Sequence, residues 1–133
     1  MMSEQTGAQY AAALDQAEQM LGFRLERFLG TTDAEPSNAA DFKRLATLQT
    51  FGAAWPRMEH LDTRTRALIS VTIAATLGVR EPLRGQLRIA INNGVTKEEV
   101  VEAFIQISAY AGAARAFDSY RTAVEVFGEQ AAT

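Results

Sequence analysis

Few of the 133 residues could do acid–base, nucleophilic or metal chemistry. There is no cysteine, which excludes a thiolate nucleophile, a thiol redox pair, a disulfide framework and a thiolate zinc site, and leaves the redox compartment open. There is one histidine, His60, with Glu59 beside it. Histidine is the usual proton shuttle near neutral pH, so His60 is a candidate proton carrier; the alternative is a solvated loop residue. A single imidazole cannot make a histidine-rich metal site, and no cluster of inward-facing acids suggests an oxygen-only one, so no metal is expected. The remaining candidates bind rather than react. Trp55, the sole tryptophan, can wall a pocket and stack on a planar ligand, or be an ordinary core residue. Arg64 and Arg66, and then Arg84 and Arg88 four residues apart, can grip a carboxylate bidentately, although surface arginines commonly do no more than solvate a face. Tyr110 can donate to a ligand oxygen or simply pack. Gln86 cannot shuttle a proton, but its amide can donate a hydrogen bond to a carbonyl or enolate oxygen.

These residues need elements to hold them, and the pattern predicts helices throughout. Alanine occurs 24 times, and the three prolines, Pro36, Pro56 and Pro82, fall between long periodic segments. A first helix is expected from Tyr10 to about Leu29, with Leu14, Ala17, Met20, Leu21, Leu25 and Phe28 at spacings of three and four and Gly22 a possible break. Thr31 to Ser37 reads as a connector. Asp41 to Ala54 forms a second helix with Phe42, Leu45, Leu48 and Phe51 as its apolar positions, closing near Trp55-Pro56 because the residue before proline resists helical geometry. In the third, Asp62 caps a nearly continuous apolar body of Leu68, Ile69, Thr72, Ile73, Thr76 and Leu77, and Gly78 stops it; such a helix belongs at the centre of a bundle. Pro82 suits the first turn of the fourth, whose stripe of Leu83, Leu87, Ala90 and Ile91 ends at Asn92-Asn93-Gly94. Gln86 lies at the edge of that stripe, so it faces inward, either into a pocket or paired with a backbone group. Thr96-Lys97-Glu98-Glu99 matches a capping box and opens a fifth helix through Val100, Ala103, Phe104, Ile107 and Ala111; Lys97, Glu98 and Glu99 need be no more than a solvated cap. A sixth runs from about Ala113 to Phe127. The fold class is all-α, a compact bundle of about six helices in a single domain over residues 1–133.

From Trp55 to Phe127 the chain carries ordered motifs: Leu61-Asp62-Thr63-Arg64-Thr65-Arg66-Ala67-Leu68-Ile69, Ala75-Thr76-Leu77-Gly78, Leu83-Arg84-Gly85-Gln86-Leu87-Arg88, Asn92-Asn93-Gly94-Val95-Thr96-Lys97-Glu98-Glu99 and Tyr110-Ala111-Gly112. Together with Phe51-Gly52-Ala53-Ala54-Trp55, this series resembles the carboxymuconolactone decarboxylase family, a branch of the alkylhydroperoxidase D-like helical superfamily. The resemblance implies a helical subunit assembling into trimers or hexamers. It also implies cofactor-free decarboxylation of a carboxylated unsaturated lactone through an enolate-type intermediate. The decarboxylase pattern places a glutamate after the glycine of a Gly-x-x-Trp motif and a histidine fourth in Leu-Arg-x-His-Leu-Arg; this chain has Ala53 and Gln86. The peroxidase branch places Cys-x-x-Cys-x-x-x-His where this chain has Val79, Pro82 and Gln86. Without thiolates the peroxidase reaction is excluded. Decarboxylation still needs an enolate stabiliser and a proton source, roles that fall to Gln86 and, displaced from the family's position, to His60. Trp55, Arg64, Arg88 and Tyr110 are the expected substrate-binding residues.

Charge and hydropathy narrow the partners. Sixteen acids against thirteen bases give a net charge of −3, the wrong sign for a broad phosphate-neutralising face, so nucleic acid is not an expected partner. No run approaches a membrane span, and Met1-Met2-Ser3-Glu4-Gln5-Thr6 lacks the basic-then-apolar order of a secretory signal, so no membrane association and a cytoplasmic location are expected. The expected protein is a cofactor-independent lyase acting on a small cyclic or conjugated carbonyl or carboxylate compound. The alternative is a non-catalytic ligand-binding or scaffold oligomer of the same fold.

Overall fold

The structure, a computed structural model, describes residues 4–131, the side chains at positions 5, 6, 27 and 28 excepted. Met1–Ser3, on which part of the reading of the N-terminus rests, and the Phe28 side chain expected in the first apolar stripe lie outside the described residues. Six α-helices and no strand occur among the described residues: α1 (Glu4–Leu21), α2 (Ala39–Thr47), α3 (Thr63–Leu77), α4 (Arg80–Asn92), α5 (Lys97–Ala111) and α6 (Ala113–Ala131). None of them is long and apolar enough to cross a membrane. The fold is all-α, and the chain divides into two compact units, Met1–His60 and Leu61–Thr133.

In the first unit α1 is shorter at its C-terminus than its periodicity suggests. Gly22 adopts φ +82°, a left-handed conformation that stops the helix, and the expected continuation becomes a separate 3-10 turn, Leu25–Phe28. Arg24 clamps this junction, donating to Asp15 and Glu18 at 2.8 Å each and pairing with Glu26. The second helix also divides: after Thr47 it widens into a π-helix over Leu48–Ala54. Trp55 N–H donates to the Thr50 carbonyl five residues back, at 3.1 Å. Trp55 keeps helical dihedrals (φ −65°, ψ −33°) although it precedes proline; the ladder ends because Pro56 has no N–H to donate. The π-helix packs on α1, and Ala13, Leu14, Ala17, Met20, Phe51 and Trp55 are buried.

In the second unit the boundaries fall where local chemistry puts them. Asp62 accepts from Thr65 N–H at 2.6 Å and caps α3. Gly78, at φ +73°, ends it with the Schellman pair: Val79 N–H to the Ala74 carbonyl and Gly78 N–H to that of Ala75. The same pair recurs after α4, where Gly94 (φ +89°) donates to Ile91 and Val95 to Ala90. Thr96 and Glu99 form a complete capping box on α5.

α3 contacts α4, α5 and α6, as expected of a central helix, but with the opposite face from the one its large residues suggest. Ala67, Val71, Ala74 and Ala75 are buried, whereas Ile73 is 55% exposed and Leu77 67%, with Ile69 exposed beside them. Small side chains let helix axes approach closely, and Ser119 of α6 is near enough to donate to the Ala75 carbonyl at 2.9 Å. Three arginines on α4 tie it to α6: Arg80 to Asp118, at 2.5 Å, Arg84 to Glu125, and Arg88 to Glu129, at 2.9 Å.

Two outcomes follow from these caps. Gly78→Ala places a β-carbon in a left-handed conformation and against the Arg115 guanidinium; it should destabilise the protein by about 1–2 kcal/mol, read as a lowered denaturant midpoint. The Asp62 and Glu99 carboxyls are both held below their ordinary values, Asp62 by Thr65 N–H and Glu99 by Thr96 N–H and then by Arg64. Groups lowered in the folded state contribute stability that is present above their unfolded values, near 3.8 and 4.5, and is lost as pH falls through the folded ones. A thermal melting series from pH 7 to pH 3 should therefore show a fall below about pH 4.5, and Glu99→Gln should flatten part of it.

Candidate functional site

Gln86 is the candidate that helix geometry places most firmly. Leu83, Leu87, Ile89 and Ala90 are the buried residues of α4, whereas Ile91 is only half-buried. The buried arc is thus turned toward Ile89 relative to the stripe expected from sequence. At about 100° per residue Gln86 falls between Ile89 and Ala90, inside the arc rather than at its edge. Its Oε1 is inaccessible to solvent and accepts no hydrogen bond from the described residues. Leaving a buried carbonyl oxygen unpaired costs on the order of 1–3 kcal/mol. The backbone pairing weighed from sequence is therefore not made by this oxygen, and the amide's acceptor end, rather than its donor end, is the part shut away.

The opposite side of α4 accounts for its arginines. Arg84 pairs with Glu125 and lies 3.3 Å from Glu81 and 3.7 Å from Glu129; Glu125 leads the causes that raise its pKa. Arg88 has one carboxylate partner, Glu129. Arg64, on α3, donates to the Gly94 carbonyl at 3.2 Å and pairs with Glu99, so it ties the first turn of α3 to the turn before α5. Arg64, Arg84 and Arg88 are thus each engaged by a carboxylate of the chain itself. Sequence reasoning missed these partners, although Asp118, Glu125 and Glu129 recur at helical spacing on α6 and Arg80, Arg84 and Arg88 do so on α4.

The other candidates lie in different settings. Tyr110, near the end of α5, is 85% exposed and is not a packing residue. In the first unit Trp55 is buried, at 3% exposure. The His60 side chain is 84% exposed, and its partner among the described residues is Glu59, with Nε2 to Oε1 at 3.9 Å. Ala53, on the π-helix, is exposed. Among the described residues no three of His, Asp and Glu come together as a metal site would require.

Residues 40–125 match the carboxymuconolactone decarboxylase family. A curated relative, a 4-carboxymuconolactone decarboxylase of Acinetobacter baylyi, is 36% identical over 87 residues, which are 65% of this chain and 64% of the relative. The chain thus spans just under two thirds of that relative's length. The family match runs from α2 through most of α6 and includes the Gly52-to-Trp55 and Leu83-to-Arg88 motifs. With well over half of its residues in that match, the chain belongs to the carboxymuconolactone decarboxylase family.

Proposed function

We propose that the protein is a cofactor-independent lyase of the carboxymuconolactone decarboxylase type, acting on a small cyclic or conjugated carbonyl compound that bears a carboxylate. The observation that carries this reading is Gln86, a polar side chain set into the buried arc of α4 with its carbonyl oxygen shut away from solvent, which leaves the amide N–H as the end that can meet a ligand. Decarboxylation leaves an electron pair that delocalises onto a conjugated carbonyl as an enolate. A fixed amide N–H stabilises that charge without exchanging a proton. The proton that replaces carbon dioxide must come from elsewhere, and His60 or water is its source in this reading. Arg88 has a single ion pair, with Glu129, worth about 0–1 kcal/mol, and can exchange it for another carboxylate at little cost, but it does so on the side of α4 opposite Gln86, so one small substrate does not reach both within a single chain. Trp55 and Tyr110 complete the proposed binding set, and one domain is read across both units because the family match at 40–125 spans their boundary.

A second reading, a ligand-binding or scaffold member without catalysis, is favoured by the solvated His60 and by the intrachain pairing of Arg64, Arg84 and Arg88. Both readings take the protein to be a homo-oligomer, a trimer or hexamer. Ile69, Ile73 and Leu77 on α3, and Ile105, Phe117 and Tyr120 on α5 and α6, are exposed, and apolar surface of this extent is ordinarily covered by a partner.

Incubation of the purified protein with γ-carboxymuconolactone and related keto acids should release carbon dioxide, and Gln86→Ala should lower kcat by about 10²-fold with little change in KM. No turnover across the panel would leave the scaffold reading. Light scattering at micromolar concentration should give a multiple of the 14.5 kDa chain mass, and a monomer would refute the assembly.

A further inference from the structure

The turn between α4 and α5 carries a reactive pair that the lyase reading does not use. Asparagine followed by glycine is chemically labile, because a residue without a β-carbon lets its main-chain nitrogen reach the preceding side chain. The chain has three asparagines, Asn38, Asn92 and Asn93, and only Asn93 precedes a glycine. In the reaction the Gly94 nitrogen, on losing its proton, bonds to Asn93 Cγ and closes a five-membered imide. The carbon–nitrogen bond of the side-chain amide breaks, and ammonia leaves. Water then opens the ring at one carbonyl to give aspartate, or at the other to give isoaspartate, in which the main chain runs through Cγ. The sum exchanges ammonia for water, with nothing oxidised or reduced.

The fold holds both reacting groups out of position. Asn93 has φ −101° and ψ 15°. At that ψ the Gly94 nitrogen nearly eclipses the nitrogen of Asn93 itself and is turned away from Cβ, so the ring closes only after the main chain rotates. The contacts of the turn oppose that rotation. Asn93 Nδ2 donates to the Ile89 carbonyl at 2.8 Å, Gly94 N–H to Ile91 at 3.1 Å and Val95 N–H to Ala90 at 2.9 Å. These are local to the turn. Arg64, from α3, reaches it across the fold: its Nε donates to the Gly94 carbonyl at 3.2 Å while its guanidinium pairs with Glu99. Gly94 is exposed, so water has access to a ring formed there. We infer that Asn93 is a site of spontaneous modification that the native turn keeps closed, and that Arg64 governs its opening. The change is one-way: isoaspartate adds a methylene to the main chain and a carboxylate at the negative end of the α4 dipole, so the product cannot re-form the same turn. The site stands independently of Gln86 and of decarboxylation.

The test is peptide mapping by mass spectrometry of the full chain kept in mildly alkaline buffer, with fragmentation that separates isoaspartate from aspartate. In urea Asn93 should convert ahead of Asn38 and Asn92, with isoaspartate among its products. The folded chain should convert at Asn93 about 10-fold more slowly or less, since the reaction then waits on a local opening. Folded Arg64→Ala should convert Asn93 about 5-fold faster than the folded native sequence, the factor that corresponds to one hydrogen bond. Should circular dichroism show that this variant has lost its helices, Glu99→Gln, which weakens the hold on Arg64, should accelerate the reaction in the same direction. The inference is overturned by equal rates in the folded and urea-unfolded chain, by faster conversion of Asn38 or Asn92 than of Asn93 in urea, or by a folded variant whose rate at Asn93 is unchanged.

Discussion

The second unit is organised by the close approach that α3 allows its neighbours. Ala67, Val71, Ala74 and Ala75 form a face with almost no side-chain relief, against which α4, α5 and α6 can all be brought. Interaxial distance follows the size of the residues at the contact. Had Ile69, Ile73 and Leu77 faced inward, the three helices would have been held away and the Ser119 hydroxyl could not have reached the Ala75 carbonyl. The geometric consequence is an apolar face turned outward. A helix that is apolar on all sides normally has no exposed side, and α3 has one.

The orientation of α4 follows from that approach and from charge. Arg80, Arg84 and Arg88 lie along one side of the helix and meet Asp118, Glu125 and Glu129 of α6. Each pair is individually weak, yet together they oppose rotation of α4 about its axis. With that side turned toward the acids of α6, Leu83, Ile89 and Ala90 are turned inward, and Gln86 goes with them. The amide at the family's histidine position is thus held in the buried arc by contacts on the far side of its own helix. The same pairs engage Arg80, Arg84 and Arg88 with carboxylates of the chain itself.

The helix boundaries of the second unit were the most legible feature of the chain, because each is local chemistry. An aspartate accepting from an N–H three residues ahead, a Thr-x-x-Glu box and a glycine in a left-handed turn depend on neighbours within about five residues, and Asp62, Thr96, Gly78 and Gly94 all behave as their types require. The π-helix was not legible. Residues Leu48–Ala54 have ordinary helical composition, and the choice of a five-residue over a four-residue hydrogen bond rests on how the segment packs on α1.

Residue types and their order were therefore enough for an all-α chain, the stops and caps of its second unit, the family, and the absence of thiol chemistry. Each of these follows from side-chain identity or from interactions along a short stretch of chain. Which face of α3 is buried, how α4 is turned, and whether Arg64, Arg84 and Arg88 are engaged depend on residues thirty to forty positions away. Periodicity can show that a helix has an apolar face. On α3, where every face is apolar or small, only the packing of three other helices could choose between alanine and isoleucine.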